Sequence, residues 1–156
     1  MKMNNRLQVL WMLLILMVPM LMVSVANAQP ANDDSVKYID SLPFTESLDT
    51  SSATVSIYDK DVCYEPYNTV WYGGYASKSM VLEAFTFGSD YDTMLTVGTE
   101  PCGSSDCFTQ VACNDDSGIQ GNELQSQVSF NAEAGKTYFF NVGSREEGGG
   151  NMVFKV

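Results

Sequence analysis

The chain has 156 residues, is 45% hydrophobic and carries eight basic against nineteen acidic side chains, a composition that suits one ordinary folded domain and excludes compositional disorder. It contains no histidine, which removes Ser-His-Asp triads, Cys-His dyads, histidine general bases and most zinc or copper sites. The acidic balance argues against nucleic acid and anionic lipid as partners, since both are recognised through Lys and Arg, and leaves cations or basic partners.

Residues 1–28 read as a signal peptide. Lys2 and Arg6 precede an apolar run from Leu7 to Val25, followed by Ala26-Asn27-Ala28, the small-x-small pattern of a signal-peptidase site. Pro19 interrupts the run, and the uninterrupted stretch falls short of the roughly 20 residues a spanning helix needs. The expectation is a secreted, extracellular protein with no membrane attachment after cleavage. Removing the leader takes away Lys2 and Arg6 but none of the acids, so the remaining chain is more acidic still. No Asn-x-Ser/Thr glycosylation acceptor occurs.

Residues 29–41 are polar and aperiodic and read as an N-terminal lead-in, with residues 42–156 as the folded domain. From Leu42 onward, short runs rich in β-branched and aromatic residues recur between turn clusters. The predicted strands are Thr54 to Tyr58, Thr69 to Tyr72, Met80 to Phe87, Thr93 to Val97, Phe108 to Cys113, Gln127 to Phe130, Thr137 to Val142 and Met152 to Val156. Period-two spacing puts Val128 and Phe130, then Tyr138, Phe140 and Val142, then Met152, Phe154 and Val156 on core-facing sides. The register of Met80 to Phe87 stays open, because Glu83 shares a face with Val81, Phe85 and Phe87. Gly135 suits a positive-φ turn, and Gly148-Gly149-Gly150 reads as a hairpin turning the last two strands back on each other. Short strands without a sustained helical period predict an all-β, single-domain, antiparallel two-sheet β-sandwich with jelly-roll or Greek-key connections.

Four cysteines in a secreted chain imply two disulfides, for which sequence allows three pairings. A hairpin centred on Gly103 to Asp106 would bring Cys102 to Cys107 and leave Cys63 for Cys113, and this is the pairing expected. Asp90, Asp92, Asn114, Asp115 and Asp116 form the candidate metal site, because Asp92 opens one strand and the Asn-Asp-Asp turn closes its neighbour. Calcium takes six to eight hard oxygens of this kind, although Asp and Asn at turns also bond backbone amides in Asx-turns. The spacing is not that of an EF-hand loop. Tyr64, Tyr67 and Tyr75, in loop-like surroundings, are candidate ligand-binding rings beside Trp71 and Tyr72, with Trp71 expected in the core. No nucleophile elbow occurs, and a serine-lysine dyad of Ser77 or Ser79 with Lys78 suffers from adjacent strand residues facing opposite ways.

Thr69-Val70-Trp71-Tyr72, Ser89-Asp90-Tyr91-Asp92-Thr93-Met94-Leu95-Thr96-Val97, Ala112-Cys113-Asn114-Asp115-Asp116 and Ser126 to Tyr138, closing on Gly150 to Val156, occur in an order that resembles the bacterial pre-peptidase C-terminal domain family. Tyr91 stands where that family usually has phenylalanine. The resemblance spans about residues 42–156 and implies a secreted β-sandwich, usually appended to an extracellular enzyme, non-catalytic, and in some relatives calcium-binding with affinity for collagen or polysaccharide. The functional expectation is therefore a secreted accessory or binding module, with calcium as cofactor and an extracellular protein, polysaccharide or separate secreted enzyme as partner. A small secreted hydrolase and a structural matrix protein are the alternatives. The first would show a cleft of convergent polar groups, and the second repeats or low-complexity runs, which the sequence lacks.

Overall fold

A computed structural model describes residues 28–56, 59, 62–99 and 108–156. These residues form nine strands and no α-helix: β1 (Val36–Ile39), β2 (Thr45–Asp49), β3 (Tyr67–Tyr75), β4 (Met80–Phe85), β5 (Thr93–Thr99), β6 (Thr109–Asn114), β7 (Gln127–Ala132), β8 (Thr137–Ser144) and β9 (Asn151–Lys155). They build a single-domain sandwich of a five-stranded sheet, β1-β3-β8-β5-β6, on a four-stranded sheet, β2-β9-β4-β7. Pairing is antiparallel except that β1 runs parallel to β3, with Val36 opposite Trp71. Among these pairs only β5 and β6 are consecutive in sequence, so almost every ladder is closed by a long-range, Greek-key-like connection.

This topology corrects one expected hairpin. Gly148 and Gly149 do adopt positive φ, but the turn carries the chain from β8 in one sheet to β9 in the other. Gly135, also at positive φ, likewise passes from sheet to sheet between β7 and β8. A turn that crosses the sandwich needs the same glycine chemistry as a hairpin, so composition does not separate the two.

The inner faces carry the residues that alternation picked out. Tyr138, Phe140 and Val142 from β8 meet Val128 and Phe130 from β7 and Met152 and Phe154 from β9, with Val156 packed at the margin. Tyr72 lies 4.6 Å from Phe154 between ring centroids, and Phe140 lies 5.6 Å from Phe154, so aromatic packing joins the sheets. In β4 the open register resolves with Ala84 fully buried and Leu82 packed on the core, while Val81, 61% exposed, shares the outer face with Glu83.

The three central strands of the five-stranded sheet, β3, β8 and β5, are buried on both faces. On its outer side Trp71 and Phe139 pack with Val62, flanked by Val36 and Phe108, so the buried Trp71 belongs to a second, smaller core. The cover comes from two segments that sequence patterning misjudged. Residues 29–41, read as a lead-in, contain β1 and bury Asn32 and Asp33, and the Asn32 carbonyl accepts a 2.8 Å bond from the Trp71 backbone amide. Thr54 to Ser56, expected to open a strand, are irregular, while Ile57 and Tyr58 lie outside the described residues. Thr54 gives its amide and hydroxyl to the Asp33 carboxylate at 2.6 and 2.8 Å instead of joining a ladder. Short polar side chains that bond backbone in this way displace strand pairing despite a β-branched composition.

Asp59 holds this cover in place. It is 1% exposed, and its carboxylate accepts bonds from the Ser56 amide at 2.6 Å, the Thr69 hydroxyl at 2.8 Å, the Trp71 indole at 2.9 Å and the Asn141 amide nitrogen at 3.0 Å. The Cys63–Cys113 disulfide, with a Cα separation of 6.2 Å, ties the same region to β6 as expected. Cys102 and Cys107 lie outside the described residues. Among these residues no helix is long and apolar enough to cross a membrane.

Replacing Asp59 with alanine removes the acceptor of the buried Trp71 indole and Asn141 amide nitrogens, leaves the Thr69 hydroxyl only the Thr54 carbonyl, and is expected to lower the unfolding free energy by on the order of 4 kcal/mol, read from the urea midpoint. The double substitution Cys63→Ser with Cys113→Ser opens a loop of 50 residues and is expected to cost roughly 4 kcal/mol through the entropy of the unfolded chain. A midpoint unchanged by either substitution would contradict these assignments.

Candidate metal centre

At one end of the five-stranded sheet, Asp92 stands immediately before β5, and Asp115 and Asp116 follow β6. The β5–β6 ladder sets Leu95 opposite Asn114, so the start of one strand and the end of the other meet. Carboxylate oxygens of Asp92, Asp115 and Asp116 all lie within 4.8 Å of one another. The backbone is fixed from two sides. The Arg145 amide donates to the Asp92 carbonyl at 3.0 Å, and the Ser126 hydroxyl lies 2.7 Å from the Asp115 carbonyl. Ser126 itself belongs to a buried hydroxyl cluster, its amide bonding Thr86 Oγ1 at 2.9 Å and Thr93 Oγ1 at 3.1 Å, which couples this corner to the strands of both sheets.

The electrostatics are unfavourable to the charges that the site holds. Burial, then the neighbouring Asp115 and Asp116 charges, raise the Asp92 carboxyl above its ordinary value, with Arg145 opposing. Asp115 is raised by burial and by Asp116, while Arg145, whose Nε lies 3.4 Å from Asp115 Oδ2, pulls it down. Arg145 is thus paired with Asp115 and also opposes the rise at Asp92. Asp92 Oδ1 and Asp115 Oδ1 are buried and accept no hydrogen bond among the described residues. Buried lone pairs without donors are costly, and a hard divalent cation is the group whose chemistry they fit. Asp92, Asp115 and Asp116 are the residues that would hold it.

The other two residues of the expected set have different work. Asp90 turns to β9, accepting from the Asn151 amide at 2.8 Å and from its side-chain nitrogen at 2.7 Å. Asn114 accepts from the Gln127 amide at 3.0 Å and donates to the Asp116 carbonyl at 3.1 Å, so it shapes the turn that presents the acids. Arg145 was not singled out from the sequence. Its place depends on β8 pairing with β5, a contact about 50 residues apart in sequence that no local pattern announces.

The tyrosines do not make one platform. Tyr64, Tyr67 and Tyr75 are 62%, 40% and 66% exposed, but Tyr67 and Tyr75 stand at opposite ends of β3. At about 3.4 Å per residue that places them roughly 27 Å apart. Trp71 and Tyr72 are buried, on opposite faces of the same strand. Ser79 Oγ accepts from the Ala134 amide at 3.0 Å and so is engaged in a turn.

No protein-family model and no curated protein matches the chain. Among solved structures it is similar to the pre-peptidase C-terminal domain of a collagenase from Bacillus anthracis, at 14% identity and a TM-score of 0.48, over 83% of this chain and 96% of that one. It is also similar to CorA, a surface-associated copper-binding protein of Methylomicrobium album BG8, at 10% identity and a TM-score of 0.49, over 78% of this chain and 96% of that one. The first of these bears the family name that the sequence motifs resemble.

The raised carboxyls carry a pH signature. Their folded-state pKa values lie above the ordinary 3.8, so ionisation is less favourable in the folded than in the unfolded chain. In chelator, this pair destabilises the fold at neutral pH, and the effect disappears as pH falls through the folded values towards 3.8. Thermal melts of Asp92→Asn against wild type are expected to show the variant more stable at pH 7, with the difference closing in mildly acid buffer.

Proposed function

We propose that this chain is a secreted, non-catalytic accessory module whose sandwich is stabilised by calcium and which binds an extracellular protein or polysaccharide. The observation that carries the calcium reading is the meeting of the Asp92, Asp115 and Asp116 carboxylates within 4.8 Å, with one oxygen each of Asp92 and Asp115 buried and without a hydrogen-bond partner among the described residues. An oxygen-only donor set suits calcium better than copper or zinc, which favour the imidazole and thiolate ligands that this corner lacks. When bound, the cation supplies positive charge that neutralises the three acids. The chain's own residues set the corner: β5 and β6 bring the acids together, Ser126 fixes the Asp115 backbone, and Arg145 holds Asp115 from outside.

Secretion is supported by the leader pattern of residues 1–28 and by the Cys63–Cys113 disulfide, a bond that persists in oxidising compartments. The non-catalytic reading is supported by the chain's lack of histidine and by the family whose motifs it resembles. A separate secreted enzyme is the partner that such a module would serve.

Calcium at a hundredfold excess over its dissociation constant is expected to add about 2.7 kcal/mol, which for a domain of this size raises the melting temperature by on the order of 10 °C over the chelated protein. Asp92→Asn and Asp115→Asn are each expected to abolish most of that rise. An unchanged midpoint in wild type, or an equal calcium shift in both variants, would return the acids to a purely turn-forming role. Retention on extracellular polysaccharide and collagen-like protein, run beside peptidase and glycosidase assays, tests the module reading. Turnover lost on a single Asp or Ser substitution would replace it with the hydrolase.

A further inference from the structure

On the outer face of the five-stranded sheet, at the end of β3 away from the acidic corner, two tyrosines stand side by side in solvent. Trp71, Gly73 and Tyr75 share that face of β3, since Tyr72 between them packs into the main core. Tyr38 of β1 lies opposite Gly73, which makes it the diagonal neighbour of Tyr75 across the strand pair, at roughly 8 Å between Cα atoms. Tyr38 is 61% exposed and Tyr75 66%. Gly73 seats the first ring. A Cβ at that position would lie 3.0 Å from Tyr38 Cε1 and 3.1 Å from Cδ1, so the ring rests against bare backbone and a larger residue would have to lift it. Covering a strand glycine gives Tyr38 a structural role. Tyr75 has no such role, because its side chain makes no ring contact or hydrogen bond among the described residues. The polar groups around it are uncommitted as well. Asp40, one residue past β1, lines a recess together with Tyr75, Ser77 and Lys78. All four are exposed, and none of their side chains enters a hydrogen bond or ion pair among the described residues.

We propose that this face binds an uncharged polysaccharide, whose pyranose rings stack on Tyr38 and Tyr75 while their hydroxyl groups bond Asp40 and Lys78 at the rim. This role rests on the binding-module reading and deepens it by choosing polysaccharide over protein. Area favours the sugar. Two tyrosines exposed to this extent offer on the order of 300 Å² of side-chain surface, against about 800 Å² per partner in a stable protein interface, so the face suits two sugar rings better than a folded partner or a second copy of the chain. Chemistry agrees. A pyranose has an apolar face of C–H groups and a polar rim, and a tyrosine offers the matching flat ring and hydroxyl. The Asp40 carboxylate accepts hydrogen bonds and the Lys78 ammonium donates them, so neighbouring sugar hydroxyls find both kinds of partner. Charge decides among polysaccharides. The two rim charges are of opposite sign, and the formal net charge of −11 repels a polyanion, which leaves an uncharged chain. Because Tyr38 is already seated on Gly73, its ring loses little freedom when a sugar covers it.

The test is titration calorimetry of cellohexaose, laminarihexaose and chitohexaose into the full secreted protein. At least one of these uncharged hexasaccharides is expected to bind saturably. Tyr75→Ala, a change on an exposed ring without a partner, is expected to weaken that sugar about tenfold while the urea midpoint stays unchanged. Asp40→Asn is expected to weaken it several-fold, and Tyr64→Ala, beyond the opposite end of β3, to leave it as in wild type. Tyr38→Ala is expected to weaken binding too, but it also uncovers Gly73, so Tyr75→Ala is the deciding variant. No saturable binding of any of the three sugars, or wild-type affinity in Tyr75→Ala, would overturn the inference. So would a triple-helical collagen-like peptide whose binding Tyr75→Ala abolishes while no hexasaccharide binds, which would give the face to a protein. The module reading fails on a different result, cleavage of a hexasaccharide to shorter sugars seen by mass spectrometry. Retention on collagen-like protein that is untouched by Tyr75→Ala, without sugar binding, would sink this inference and leave the module standing.

Discussion

The carboxylate of Asp59 is the interaction on which the outer half of this fold depends. A five-stranded sheet with Trp71 and Phe139 on its outer face would present those side chains to water unless something covered them. The cover is irregular chain, which has backbone groups to satisfy and little apolar area of its own. Asp59 solves this by gathering donors from the covering loop, from two residues of β3 and from the middle of β8. A buried charge is tolerated when hydrogen bonds replace its water, and four donors within 3.0 Å do so here. The disulfide from Cys63 to Cys113 reinforces the same layer from the β6 side.

The acids at the end of the sheet are the converse case. Asp92 and Asp115 are partly buried, yet each keeps a buried oxygen without a donor among the described residues, and their neighbour Asp116 adds a further negative charge. A turn could be closed by Asn114 and Ser126, which already hold the backbone there. The contrast between a carboxylate that organises the fold and carboxylates that burden it separates structural acids from candidate ligands better than a count of acidic residues does.

Strand stagger gives the opposite end its character. β9 pairs with β2 from Thr45 opposite Lys155 to Asp49 opposite Asn151 and meets β4 where Phe85 faces Lys155. At that end Leu42, Met80 and Val81 are among the exposed large hydrophobics of the described residues.

Alternation in the sequence determined the class of fold and most of the main core. Val128 with Phe130, Tyr138 with Phe140 and Val142, and Met152 with Phe154 could face inward only if their strands formed the two layers seen, because period two fixes sidedness locally. The same local logic brought Asp92 to Asp115 and Asp116, since β5 and β6 are consecutive and pair. Tertiary structure decided everything that depended on non-consecutive pairing. It sent Asp90 to β9, brought Arg145 to the acids, placed Trp71 in a second core, drew residues 29–41 into the sheet and set β4 facing inward by Ala84 and Leu82. Side-chain sequence records which face of a strand is apolar. Which strand lies beside it is decided by packing energy summed across the sandwich, and that sum is carried by no single segment.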